Sequence, residues 1–255
     1  MKTPLLPALA LAAVLAVSAC GSPNAAPQEA PRTAAAPADT GILPPQTAEP
    51  SPDPSTPAPS GAVTEANLPD AQDLHWNDGA SWRAAATTTG GGTEQLSVCQ
   101  QNSMESLGAN AILVRTFTFT GNGDAVAVAM SFDSRAGAEE AYAVAQEWMA
   151  DCQGVLVAQK RTNGSQGIPP TPVALPQSTA GKAQVTEWGY RTASTDPANL
   201  EFESQGLAQV NDRLALVFMR SEGQDSNWDL SPGGPVGSVH PMIRSLPAVA
   251  AKLTR

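Results

Sequence analysis

Few side chains in this sequence stand where reaction chemistry would need them. His75 and His240 lie far apart, with no HExxH run, no Cys/His cluster and no carboxylates at metal spacing nearby. Asn163-Gly164-Ser165-Gln166-Gly167 departs from the GxSxG nucleophile elbow at its first position. Gly90-Gly91-Gly92 lacks the lysine and helix of a phosphate loop and reads as a flexible turn. The acids of Asp225 to Asp229 do not follow EF-hand spacing and read as a solvated loop. No triad, metal set or cofactor fingerprint is assembled, so a non-enzyme with no catalytic residue, metal or cofactor is expected.

Binding suits the residues better. Trp188, Tyr190 and Arg191 fall on one short stretch, and Trp228 lies in a later loop that can fold over it. Two aromatics on one strand face, a phenolic tip and an adjacent cation suit sugar, aromatic or anionic groups. A second reading stands beside this one: Trp188 and Tyr190 are core aromatics packed under a helix.

The elements that must position these residues begin at the other end of the chain. Lys2 is the only charge before Cys20, and Leu5 to Val17 is almost entirely Leu, Ala and Val. A positive start, a short apolar stretch and small residues ahead of Cys20 describe a secretory signal peptide over residues 1–19. The stretch is too short to span a bilayer comfortably, which takes about 20 apolar residues. Val17-Ser18-Ala19-Cys20 resembles the bacterial lipobox. That resemblance implies that Cys20 takes a diacylglycerol, that cleavage falls just before it, and that the chain is anchored by lipid to the extracytoplasmic face of the cell membrane.

The next segment reads as a tether over residues 20–67. From Gly21 to Asn67 there are 11 prolines in 47 residues, and no aromatic. Such a composition buries too little apolar surface to offset the entropy of ordering, so disorder is expected. Proline biases it toward extended conformations, at about 3.1 Å per residue, with a reach on the order of 100 Å.

Residues 68–255 are long enough for one domain with its own core. After Asn67 there are 19 acids and 12 bases, 19 − 12 = 7 in excess. That balance argues against nucleic acid as a partner and against direct adhesion to anionic lipid. With Cys20 assigned to lipid, Cys99 and Cys152 remain, and two thiols in an exported domain usually pair. Their spacing matches neither zinc nor CxxC patterns, so a structural disulfide is expected.

Periodicity supplies the elements. Ala111 to Phe119 reads as a strand, Gly121-Asn122-Gly123-Asp124 as a turn, and Val126 to Phe132 as the returning strand. Asp133 or Ser134 can cap a helix from near Arg135, whose apolar stripe ends on Cys152. Ile168 to Pro176 reads as a Pro-rich loop before a second sheet region. Strands then follow over 183–192, 200–210 and 214–220. Leu214, Leu216 and Phe218 share one face, and Ala215, Val217 and Met219 the other, which marks a central strand. Gly223 to Val239 reads as a loop, and Met242 to Leu253 as an amphipathic helix despite Pro247. The fold class is therefore α+β, an antiparallel sheet backed by helices.

Ser131-Phe132-Asp133-Ser134, Ala138-Glu139-Glu140-Ala141-Tyr142 and Trp148-Met149-Ala150-Asp151-Cys152 together resemble the PknH-like extracellular sensor domains of actinobacteria. Leu68-Pro69-Asp70-Ala71-Gln72-Asp73-Leu74 and Gly206-Leu207-Ala208-Gln209-Val210 are similar too. The resemblance implies an antiparallel sheet backed by helices, with a cleft for an unidentified ligand. The family often carries two disulfides; this chain has cysteines for one. Two functions follow as expectations. One is a sensor-type domain that binds an envelope small molecule or glycan without chemistry. The other is a structural lipoprotein that docks on an envelope protein.

Overall fold

The computed structural model describes residues 61–76, 82–92, 94–119, 123–193, 195, 198–223 and 240–255. The proposed signal peptide, Cys20, most of the proposed tether, the 224–239 segment and Trp228 lie outside the described residues.

The alternating and β-branched stretches form seven strands: β1 Trp82–Thr89, β2 Ala111–Phe119, β3 Gly123–Ser131, β4 Thr162–Pro172, β5 Gly181–Arg191, β6 Leu200–Val210 and β7 Arg213–Gly223. Among the described residues three α-helices accompany them: α1 Arg135–Ala150, α2 Cys152–Ala158 and α3 Pro241–Lys252. All seven strands join one antiparallel sheet in the order β1-β2-β3-β7-β6-β5-β4. The expected α+β class holds, but the two sheet regions are one sheet. Two meanders, β1-β2-β3 and β4-β5-β6-β7, meet where β3 pairs with β7.

β7 stands at the middle of the sheet, as its two apolar faces require. Leu214, Leu216 and Phe218 join a core with α1, while Ala215, Val217 and Met219 join a core with α3. Asn211, at a positive φ of 53°, turns β6 into β7; asparagine tolerates that left-handed backbone better than most residues. Ser134 caps α1 by accepting from the Gly137 amide at 3.2 Å. α3 lies close against β6 because Gly206 has no side chain: a Cβ there would overlap Met242 Sδ and stand 2.9 Å from Leu246 Cδ2.

Three boundaries differ from the sequence reading. α1 ends at Ala150, and Cys152 opens α2 after Asp151 breaks the helical path. The stretch read as a Pro-rich loop is largely β4, which carries Pro169, Pro170 and Pro172. It can do so because it is an edge strand, and its pairing with β5 shifts register three times. The folded domain also begins earlier than Leu68. Val63 is buried with the α3-side core, and the Asn67 side chain donates to the carbonyls of Lys252 and Arg255, each at 3.1 Å. Arg115 pins the same segment by donating to Pro69 O at 3.1 Å and pairing with Glu65 at 3.1 Å. Composition alone places the boundary at the end of the Ala- and Pro-rich run, whereas tertiary contacts recruit several of those residues.

Candidate ligand cleft

The sheet's register sets charged residues side by side on the α1 face. Asp124 on β3 pairs with Arg220 on β7, Arg220 with Glu203 on β6, and Glu203 with Trp188 on β5. In the next row Glu222, Glu201 and Tyr190 are opposite one another on β7, β6 and β5. α1 covers the half of this face around Leu207, Leu214 and Leu216. Beyond it the face opens into a cleft of about 760 Å³, floored by the two rows except Trp188 and walled by Gln95, Ser97, Val98 and Arg161.

Glu203 is the anchor of the wall. It is fully buried, yet accepts from Ser97 Oγ at 2.5 Å, from the Val98 amide at 3.0 Å and from Gln205 Nε2 at 2.7 Å. Burial raises its carboxyl above the ordinary carboxylate range, outweighing those donors and the nearby Arg220. Arg220 donates from Nε to Asp124 Oδ2 at 3.1 Å. Burial disfavours its charge, but Asp124 and Glu203 more than compensate and hold the guanidinium more firmly protonated.

Tyr190 is 1 % exposed, and burial drives its phenol far above the usual range, with Glu203 and Glu201 adding to the effect. It lines the cleft, and among the described residues its hydroxyl has no hydrogen bond. The Arg161 guanidinium sits 4.9 Å from the ring centroid, a cation–π arrangement. The outer carboxylates hold their loops: Glu201 Oε1 accepts from Thr192 and Thr195 hydroxyls, both at 2.8 Å, and Glu222 Oε1 accepts from Asn199 at 3.0 Å.

The wall is stapled. Cys99 and Cys152 form the expected disulfide, with Cα atoms 4.7 Å apart, tying the segment after Val98 to the first turn of α2. Trp188, Tyr190, Val98 and Leu156 pack around the bridge as a small core of their own.

The residues singled out in the sequence part company here. Trp188 and Tyr190 do share a face and are both buried, but only Tyr190 lines the cleft; Trp188 packs on the disulfide. Arg191 is half-buried on the other side of β5 and does not line the cleft. Trp228 lies outside the described residues. The histidines are not near the cleft. His240 caps α3, accepting from the Met242 amide at 3.2 Å while its Nε2 meets buried Glu187 at 3.0 Å. With Nδ1 accepting from the amide, the ring serves as the cap of α3. His75 is tied by its backbone to Ser245 Oγ at 2.8 Å. Among the described residues no group of three or more His, Cys, Asp or Glu is placed to hold a metal ion, and no helix is long and apolar enough to cross a membrane.

Asp124, Glu201, Glu203, Arg220 and Glu222 were not singled out from the sequence. A signal existed in one case: Glu201, Glu203 and Gln205 alternate with Phe202 and Ser204, a polar period-two face on a strand whose far end is apolar on both sides.

No family model and no curated sequence matches this chain. A crystal structure of the extracellular domain of PknH from Mycobacterium tuberculosis is similar, with a TM-score of 0.43 and 11 % sequence identity, covering 76 % of this chain and 95 % of that one.

Proposed function

We propose that this chain is a cell-envelope lipoprotein whose α+β domain holds a small envelope molecule in the cleft and performs no chemistry on it. The observation that carries the reading is the floor of the cleft. Burying a carboxyl group whole and a guanidinium in part costs folding free energy that an apolar pair of similar size would not. Glu203 and Arg220 are kept at the end of the face that α1 leaves open. Polar groups converging in a preformed cleft are what a small-molecule site needs. The Val17-Ser18-Ala19-Cys20 tetrad and the disulfide support an exported, lipid-anchored domain.

Two measurements test this. Cys20→Ala is expected to move the protein from the membrane fraction to the soluble fraction; a variant that stays with the membrane removes the lipoprotein claim. A thermal-shift screen of the purified protein against peptidoglycan fragments, sugars and lipids is expected to yield a stabilising ligand, and Tyr190→Phe to weaken it about tenfold through one lost hydrogen bond. No stabilisation across the whole screen counts against small-molecule binding.

The protein-docking alternative is favoured by a different feature. Among the described residues β1 pairs with β2 alone, and its Trp82–Thr89 run contains neither Lys nor Pro to blunt the edge. The opposite edge, β4, carries three prolines.

A further inference from the structure

We infer that the ligand of this cleft is a sugar acid, or another carboxylate bearing hydroxyls, whose carboxylate is seated by the guanidinium of Arg161 and the hydroxyl of Tyr190. This rests on the cleft being the ligand site. The first ground is Arg161, a half-buried base in the cleft wall. Its guanidinium lies over the Tyr190 ring, 4.9 Å from the centroid. Among the described residues that side chain has no hydrogen bond and no ion pair. The other base lining the cleft, Arg220, is already held by Asp124. A guanidinium carries five donors in a planar fork that matches the two oxygens of a carboxylate. Stacking on a ring uses none of them.

The second ground is the hydroxyl of the ring beneath. Tyr190 is 1 % exposed, lines the cleft, and its hydroxyl has no hydrogen bond among the described residues. A polar group so buried costs free energy until a partner meets it. Burial, with Glu203 and Glu201 beside it, holds the phenol in its protonated form, so it can donate. The ring that carries this hydroxyl is the one Arg161 covers, so both donors stand at one corner of the cleft.

The third ground is that the rest of the floor offers acceptors. Among the described residues, the hydrogen bonds of Asp124 fall on Oδ2 and those of Glu201 on Oε1. Asp124 Oδ1 and Glu201 Oε2 are thus open to ligand hydroxyls. The charge of Asp124 is met by Arg220, and burial raises the Glu203 carboxyl toward its protonated form. A bare anion would fill the Arg161 corner and leave the floor unmet. A neutral sugar would meet the floor and leave Arg161 without an anion.

The test uses the purified protein and two matched pairs of probes: glucuronate with glucose, and N-acetylmuramate with N-acetylglucosamine. Within each pair only the first carries a carboxylate; acetate serves as an acid without hydroxyls. Both sugar acids are expected to raise the melting temperature, with the neutral sugars and acetate binding about tenfold more weakly or worse. Arg161→Gln should cut the affinity for both sugar acids by about tenfold or more. Arg83→Gln, at an exposed position on β1, should leave it unchanged. Arg161→Lys keeps a cation but loses the fork, so it too should bind the acids more weakly than wild type. Without any probe, Arg161→Gln loses only the ring contact and should lower the melting temperature by about 1–4 °C, so the variant is folded when tested. Acid binding that survives Arg161→Gln, or that Arg83→Gln weakens equally, overturns the inference. Acetate binding as tightly as glucuronate overturns the hydroxyl half of it. Neutral sugars binding as tightly as their acid partners, with loss on Tyr190→Phe, overturn the carboxylate assignment and leave the cleft as the ligand site. If only the wider screen yields a ligand, one without a carboxylate, or one indifferent to Arg161→Gln, overturns this assignment alone. No response to these probes, joined to an empty wider screen, overturns both.

Discussion

Cys99→Ser is expected to lower the melting temperature by on the order of 10 °C. The bridge spans a sequence separation of 53. Closing a loop of that length removes about 4 kcal/mol of conformational freedom from the unfolded chain on the chain-entropy account. For a domain near 200 residues each kcal/mol moves the midpoint by about 2–4 °C. The substitution also places a hydroxyl in a site where Cys99 is 1 % exposed and Cys152 fully buried, against Trp188 and Leu156. Dithiothreitol should bring the wild-type midpoint down toward that of the variant and leave the variant's midpoint unmoved. A variant that melts within about 2 °C of wild type would show that the bridge is no staple. Because Val98 and Ser97 directly precede Cys99 in the cleft wall, any ligand found by screening should bind the variant more weakly as well.

The second large effect belongs to Glu203. Glu203→Ala removes the acceptor for Ser97 Oγ, the Val98 amide and Gln205 Nε2 in a fully buried setting. An unsatisfied buried donor costs about 1–3 kcal/mol. Allowing for relaxation among the three, the loss should total about 3–5 kcal/mol, again near 10 °C in midpoint. Glu203→Gln keeps one acceptor oxygen and should cost less than half as much.

Its pH signature separates the two. Glu203 titrates above its ordinary value of 4.5 in the folded protein. Over the window between that value and its raised folded value, the native state holds a proton that the unfolded chain has released. Stability therefore falls as pH rises through that window and is fully present below it. Glu203→Gln should lose this slope. A variant with the same pH profile as wild type would show that another group is responsible.

Much of the fold was readable from local pattern, for a physical reason. Strand and helix periods are local properties, so Leu214, Leu216 and Phe218 announced one face of β7 and Ala215, Val217 and Met219 the other. Ser134 as a cap was legible because capping uses one side chain and the amides just after it. The misread elements depend on neighbours. A run with prolines is a strand only at an edge, and edge status is not local, so local pattern alone reads this part of β4 as a loop. Val63 and Asn67 belong to the domain because α3 and its C-terminus lie against them.

The site divides in the same way. By itself the sequence determined the pairing of Cys99 with Cys152 and the placement of Trp188 and Tyr190 on one face, since cysteine count and strand alternation need no third dimension. Only the tertiary structure decided that Trp188 serves the core while Tyr190 lines a cleft, and that Asp124, Arg220, Glu203, Glu201 and Glu222 meet there. Those residues come from β3 and from the β6–β7 hairpin far along the chain. Register brings them into two rows, and a one-residue slip would send each side chain to the opposite face.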